Sequence, residues 1–258
     1  MNIRRIIIVL LALFVLDELF AVGFVLFGHR PPLFSMLLVT FLPFAVALLH
    51  AKVRLGWKAM MLMVGTTTLV SLIFESVGVA TGWIYGPYHY TEFLQPKFLG
   101  LTPILVPLGW FLMLYPSFVL ADWILPTTWR PSQRLLGVAA VGAFAMTAWD
   151  MVMDPTRVYA GMWTWEVEGP YFGVPLQNYL GWWITIFTVL AIFIHLARYT
   201  PRHRSASFDS LAIISYALIG GAEIISALSL GLGGPALAGF FAMLPWALWG
   251  VTKVIAKS

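Results

Sequence analysis

The sequence predicts an all-α polytopic bundle of about eight transmembrane helices, and three properties of the chain indicate it. The 258 residues are 60% hydrophobic and only 10% charged, with a mean hydropathy of +0.88. A soluble domain is closer to half apolar, so this chain has too little polar surface to cover a water-soluble core. Apolar runs near the ~20 residues that cross a bilayer recur along the whole length, and basic residues are sorted between alternate connections. We expect a single integral membrane domain over residues 1–258.

The apolar runs place the spans in order along the chain. They cover residues 6–27, 34–50, 59–82, 101–125, 135–153, 180–198, 210–231 and 235–252. The second and the last are the shortest, so seven or nine spans remain alternatives. The first run follows Arg4 and Arg5, as in a signal peptide. Asp17 and Glu18 at its centre, and the lack of a small-x-small cleavage site, favour a retained helix instead.

The basic residues predict the orientation. If the connections alternate sides, 12 of the 15 basic residues fall on one side and Arg30, Lys97 and Arg157 fall on the other. Short basic loops stay in the cytoplasm, so both termini are expected inside, with the protein in the cytoplasmic membrane. The twelve are Arg4, Arg5, Lys52, Arg54, Lys58, Arg130, Arg134, Arg198, Arg202, Arg204, Lys253 and Lys257. The net charge of +4 is thus a topology signal rather than a sign of nucleic-acid binding.

The sequence lacks the residues that several classes of functional site require. The chain contains no cysteine, which excludes disulfides, thiolate metal sites and iron–sulfur clusters. Its five histidines form no HxxxH or ExxH pair, and phosphate-binding and nucleophile-elbow motifs are missing. We therefore predict neither a metal nor a cofactor.

Two predicted outer loops, residues 83–100 and 154–179, are rich in glycine, proline and aromatic residues, and they resemble each other. In each copy an acid, Glu75 or Asp154, is followed after six residues by a Gly/Trp turn and then by a Gly-Pro-Tyr run. A Gly-Trp pair comes later in both, at Trp110 and Trp182. The recurrence suggests a parallel repeat about an axis along the membrane normal.

Acidic residues inside predicted spans are the candidates for chemistry, because ionisable groups are costly in a bilayer. Glu75 lies in the outer part of the third span and Glu223 near the middle of the seventh. Asp150 and Asp154 are four residues apart, which puts both carboxyl groups on one face of a helix. Two such groups in a low dielectric cannot both ionise cheaply, so one keeps its proton, as general acid–base catalysis requires.

Each acid also has a purely structural interpretation. Asp154 precedes Pro155 and could cap a turn, and Asp150 could pair with Arg157 at the membrane surface. Glu223 follows Gly220 and Gly221 and could hydrogen-bond across a close helix contact. Asp17 and Glu18 point about 100° apart on one helix, so a structural role for them is as plausible as a catalytic one.

Aromatic residues are concentrated near the same membrane surface. Belts of tryptophan and tyrosine are common there, but this set is dense enough to grip a polyene or to stabilise a carbocation. The candidate substrate-binding residues are Trp83, Tyr85, Tyr88, Tyr90, Trp163, Trp165, Tyr171, Asn178 and Trp182.

Two segments carry a family resemblance. The run from Glu75 through Gly82-Trp83-Ile-Tyr-Gly-Pro-Tyr-His-Tyr90 resembles the multi-pass carotenoid biosynthesis family that includes the carotenoid 1,2-hydratases. So does Trp149-Asp150-Met-Val-Met-Asp154-Pro155 with the Gly-Pro-Tyr and Gln-Asn178 motifs after it. The resemblance covers about residues 70–185, and the rest only by hydropathy.

The resemblance implies addition of water to the terminal C1=C2 double bond of an acyclic carotenoid ψ-end group, without a cofactor. The expected partners are a carotenoid or other polyene, water, the lipid bilayer and enzymes of the carotenoid pathway. Glu75, Asp150 and Asp154 would form the acid–base set, with Glu223 behind them. The aromatic residues would line the pocket for the end group, and Asn178 would help to orient water.

Three alternatives start from the same residues. A lycopene-type cyclase begins with the same protonation, but a neighbouring double bond captures the cation; the polar Gln177 and Asn178 favour water. A transporter would suit the acids within the membrane and the repeat, although matching pairs of broken helices are missing. A pigment-binding protein would use the aromatic residues without turnover.

Overall fold

Eight long helices form most of the computed structural model, which describes residues 2–201 and 205–256. All eight are long and apolar enough to cross a membrane, which confirms the predicted polytopic bundle. They are α1 (Ile3–Leu26), α2 (Leu33–Leu55), α3 (Trp57–Thr81), α4 (Val106–Ile124), α5 (Pro131–Tyr159), α6 (Leu176–Leu196), α7 (Ala206–Ser229) and α8 (Gly233–Ile255). Arg202, Arg204 and Lys257, which were part of the predicted inner charge, lie outside the described residues.

Helix α5 continues through Asp154 and Pro155, so the interpretation of Asp154 as a turn cap is wrong, and the loop begins after residue 159. A proline inside a helix lacks the N–H that would bond the carbonyl four residues earlier, here that of Met151. The hydroxyl of Tyr171 donates to this carbonyl at 2.8 Å. The chain after α5 thus supplies the hydrogen bond that Pro155 removes, as a membrane-embedded helix requires.

Four short strands, which the sequence did not predict, order the two long connections. Strands β1 (Tyr88–Tyr90) and β4 (Trp163–Trp165) pair antiparallel and join the connection after α3 to the connection after α5. Strands β2 (Lys97–Phe98) and β3 (Thr102–Pro103) form a hairpin before α4, which therefore begins at Val106 rather than at residue 101.

Helix α4 is the centre of the bundle. It contacts α2, α3, α5, α7 and α8, and nearly all of its side chains are buried. Close packing around it defines the core, which is built from large apolar side chains such as Phe111, Leu114 and Phe118.

Buried ion pairs close one end of the bundle. Arg54 of α2 donates to Asp122 of α4 at 2.6 Å and to Asp209 of α7 at 3.0 Å. Arg134 of α5 also donates to Asp122. Arg54 and Arg134 were assigned to inner loops by the charge count, but they lie in helices and are buried. They compensate two carboxylates and tie four helices together.

Candidate functional site

The pairing of β1 with β4 assembles the candidate site. The register places Tyr88 opposite Trp165 and Tyr90 opposite Trp163. Strands β1 and β4 together form a two-stranded ribbon. Alternate residues of a strand point to the same face, so all four aromatic side chains lie on one face of this ribbon. That face covers the carboxyl groups of Glu75 on α3 and Asp154 on α5.

Glu75 is buried and accepts three hydrogen bonds. The hydroxyls of Tyr88 and Tyr90 both donate to its Oε2, the second at 2.9 Å. The indole Nε1 of Trp110 on α4 donates to Oε1 at 2.9 Å. Glu75 thus has three neutral hydrogen-bond donors and no cationic partner among the described residues.

The two tyrosines keep their protons over a wide pH range. Burial, followed by the adjacent Glu75 carboxylate, holds the pKa of Tyr88 and the pKa of Tyr90 well above the usual value of 10. Both phenols therefore remain hydrogen-bond donors wherever the protein is folded near neutral pH.

Asp154 also has three hydrogen-bond donors, two of which come from β4. The indole Nε1 groups of Trp163 and Trp165 donate to its Oδ1 at 3.2 and 3.1 Å. The amide Nδ2 of Asn178 on α6 donates to Oδ2 at 2.9 Å. Asp154 is thus also a buried carboxyl group with three neutral donors.

Asp150 differs from both. Its Oδ2 accepts from the same Asn178 amide at 2.8 Å, so one side chain bridges Asp150 and Asp154. Its Oδ1 has no hydrogen-bond partner among the residues that the structure describes, although Asp150 is fully buried. The alternative pairing of Asp150 with Arg157 is wrong, because Arg157 extends to α7 and donates to Glu223 at 2.7 Å.

A chain of indole rings runs from Glu75 to the residue that precedes Asp150 in α5. Trp110, the donor to Glu75, stacks on Trp182 with ring centroids 4.2 Å apart. Trp182 meets Trp149 edge to face at 6.1 Å, and Trp149 precedes Asp150 in α5. The Gly-Trp pairs that recur in the sequence, at Trp110 and Trp182, are therefore in direct contact.

The other predicted binding residues lie in different places. Tyr85 is buried and its hydroxyl is 2.9 Å from that of Thr185 on α6, so it fastens the α3 connection to α6. The hydroxyl of Tyr171 donates to the Met151 carbonyl of α5 and not to a carboxyl group, although Tyr171 lies close enough to interact electrostatically with Asp150. Trp83 is 80% exposed, as is common for residues of an aromatic belt. The two Gly-Pro-Tyr runs therefore have unrelated roles, since Tyr88 contacts Glu75 and Tyr171 contacts Met151.

Glu223 forms a second acidic centre with Arg157. Glu223 is 5% exposed and its Oε1 has no hydrogen-bond partner within residues 2–201 and 205–256. Glu18 of α1 lies close enough to interact with both charges. No hydrogen bond between described residues joins this centre to Glu75, Asp150 or Asp154.

Two residues near the acids were not among the predicted site residues. Trp110 completes the shell of Glu75, and its place in a recurring Gly-Trp pair was the available signal. Tyr179 follows Asn178, is half-buried, and lies close enough to interact electrostatically with Asp150 and Asp154. Its hydroxyl has no hydrogen-bond partner in the described part of the chain. Its place among the aromatic residues near this membrane surface and its position beside Asn178 were the available signals.

This arrangement is suited to moving a proton. Asp154 and Glu75 are each satisfied as carboxylates, whereas Asp150 has one oxygen left to carry and deliver a proton. Among the described residues, no group of three histidine, aspartate or glutamate side chains could hold a metal ion. All three acids are buried, and the aromatic side chains of β1 and β4 lie over Glu75 and Asp154.

Comparison with known proteins assigns the chain to a family. It is 31% identical over 157 residues to the bisanhydrobacterioruberin hydratase of Haloarcula japonica, an alignment that covers 60% of this chain and 52% of that protein. The chain thus matches about half the length of this curated relative. No solved structure matches it. The profile of the family described as carotenoid biosynthesis protein matches residues 33–245, and the chain therefore belongs to the carotenoid biosynthesis protein family.

Proposed function

We propose that this protein is a carotenoid hydratase, which adds water across the terminal C1=C2 double bond of an acyclic ψ-end group. Membership of the carotenoid biosynthesis family and the similarity to a hydratase support the class of substrate and reaction. The observation that carries the proposal is the bridged pair of buried carboxyl groups, Asp150 and Asp154, with Asn178 between them.

Asp150 is the proton donor in this proposal. An isoprenoid double bond is a weak base, so its protonation needs a neutral carboxylic acid held close to it in an apolar site. Of Glu75, Asp150 and Asp154, only Asp150 has an oxygen without a hydrogen-bond partner among the described residues, and the neighbouring Asp154 disfavours a second negative charge. Transfer of the proton from Asp150 to C2 breaks the double bond and leaves a tertiary cation at C1.

Asp154 then acts as the base. A water molecule forms a bond from its oxygen to C1 and releases one proton to the Asp154 carboxylate. The product is a tertiary alcohol. Asp150 is now ionised and Asp154 neutral, and passage of one proton between these two carboxyl groups restores the starting state. Hydrogen and hydroxyl have been added, and no electrons have been gained or lost.

Glu75 and the indole rings stabilise the cation. The Glu75 carboxylate supplies a fixed negative charge, because its three neutral donors hold it without cancelling it. Cation–π attraction would come from the outer faces of the stacked Trp110–Trp182 pair and from Trp149 beside it. Glu223 takes no part in proton transfer in this proposal, and it anchors Arg157 instead.

Expression in a host that accumulates lycopene tests the proposal. Chromatography with mass detection should reveal pigments heavier by one water mass with an unchanged absorption spectrum, because the new hydroxyl lies outside the conjugated system. Asp150→Asn should abolish this product while leaving the amount of folded protein unchanged. Glu223→Gln is the matched control, a change from acid to amide outside the bridged pair, and it should retain the product.

The outcomes separate the proposal from its nearest competitor. A pigment with unchanged mass but altered retention and spectrum would mean that a neighbouring double bond captured the cation, and the protein would be a cyclase. Full activity of Asp150→Asn would remove Asp150 from the mechanism. Hydrated pigment from the host without this gene would leave the reaction unassigned to this chain.

A further inference from the structure

The two acids at the centre of helix α1, Asp17 and Glu18, face different neighbours. Glu18 faces the Arg157–Glu223 pair, whereas Asp17 faces α2. Between α1 and α2 lies a groove of about 320 Å³, which opens on the outer surface of the bundle. Besides Asp17 it is lined by Leu13, Leu16, Phe20, Phe34, Leu38 and Leu42.

Asp17 is the polar feature of this apolar groove. It is only 8% exposed, and its Oδ2 has no hydrogen-bond partner among the described residues. The side chain of Ser35 on α2 is close enough to interact with the Asp17 carboxyl group, but Oδ2 of Asp17 and the Ser35 hydroxyl are both left without a hydrogen-bond partner among the described residues. A buried carboxyl group without a partner costs free energy in an apolar medium. A ligand that brings a polar group to this point would recover that free energy.

The depth of Asp17 in the membrane limits the kinds of ligand that can reach it. Asp17 lies about 18 Å along α1 beyond Arg5, at 1.5 Å per residue. The hydrocarbon core of a bilayer is about 30 Å thick, so Asp17 lies within it and well away from both boundaries. The ester groups of phospholipids stay at those boundaries. The polar group that meets Asp17 must therefore belong to a molecule able to place it among acyl chains.

We propose that the α1–α2 groove binds a long apolar molecule that carries a hydroxyl group, with Asp17 as the hydrogen-bond partner of that hydroxyl. A neutral carboxyl group can both donate and accept a hydrogen bond. A hydroxyl group can form both of these bonds with it, whereas an ester or ketone carbonyl can only accept one. The volume is that of a pocket for a small organic molecule or a segment of a longer one. This site is distinct from the bridged acids of α5 and does not depend on the function proposed for them.

A label in the groove tests the inference. Because the chain has no cysteine, Leu38→Cys can carry a single environment-sensitive fluorophore on the groove wall. The labelled protein in phosphatidylcholine nanodiscs is titrated with phytol and, separately, with phytane, the saturated alkane with the same branched carbon skeleton. We expect a saturable change with phytol at a concentration at least about tenfold lower than with phytane, since only the alcohol can hydrogen-bond to Asp17.

Two variants and a second label complete the test. Asp17→Leu should abolish the preference for phytol, and Asp17→Asn, which still donates and accepts, should keep most of it. The same fluorophore on Leu69→Cys, an exposed position of α3, should give no saturable change. Equal responses to phytol and phytane in the labelled protein that retains Asp17 would by themselves overturn the proposal. So would a phytol preference that survives Asp17→Leu, or a response at Leu69 equal to that at Leu38.

Discussion

Tyr88 and Trp165 are directly opposed in the β1–β4 ribbon, yet they donate to different carboxyl groups. Tyr88 donates to Glu75 and Trp165 donates to Asp154. The next pair in register, Tyr90 and Trp163, repeats the division. One short ribbon therefore sets the positions of acids on α3 and α5, and a displacement of either strand would change both carboxyl environments together.

The bridge at Asn178 gives the first prediction. Asn178→Asp places a third carboxyl group within hydrogen-bond distance of Asp150 and Asp154, so we expect loss of activity and a lower melting temperature. The exchange variant Asp154→Asn/Asn178→Asp keeps the number of carboxyl groups and the possibility of an amide bridge. It should recover most of the melting temperature without recovering activity, since the base has moved to α6. An exchange variant with restored activity would show that the position of the base is unimportant.

The donors to Glu75 give the second prediction. Tyr88→Phe and Tyr90→Phe each remove one hydrogen bond to the buried Glu75 carboxyl group and keep the phenyl ring. Each should reduce the free energy of unfolding by about 1.5–3 kcal/mol, measured by titration with a denaturing detergent in mixed micelles. The Tyr88→Phe/Tyr90→Phe variant should lose more than the sum of the single changes, because Oε2 then loses both of its donors. Strict additivity would show that the two tyrosines act independently.

Part of this site could be predicted from the sequence. Hydropathy placed all eight helices, and the spacing of four between Asp150 and Asp154 put them on one face. The ribbon could not be predicted, because Tyr88–Tyr90 and Trp163–Trp165 are too short for a strand pattern and pair across a long sequence separation. The assignment of Tyr171 to the substrate pocket followed from its Gly-Pro-Tyr motif. Its contact with Met151 depends on Pro155 staying inside α5, which hydropathy does not indicate.

The contact between Tyr171 and Met151 gives the third prediction. Tyr171→Phe should lower the free energy of unfolding by about 1–3 kcal/mol, because the Met151 carbonyl is left without a donor. In a Pro155→Ala background the helix has its own N–H for that carbonyl, so Tyr171→Phe should cost much less. The coupling free energy of this double-mutant cycle is the measurement. A cost that is equal in both backgrounds would mean that the hydroxyl does not compensate for the proline.

Glycine at 181 gives the last prediction, since it lets α6 approach the connection after α3. A Cβ on Gly181 would overlap the carbonyl oxygen of Ile84 and lie 2.6 Å from the ring of Tyr85. Gly181→Ala should therefore lower the free energy of unfolding by about 1–3 kcal/mol. It should also reduce activity, because Asn178 is one turn away on the same helix. Gly65→Ala on α3 is the control, since its Cβ meets nothing within 4 Å and alanine is the better helix former. Equal effects of the two substitutions on detergent unfolding would show that α6 does not depend on this contact.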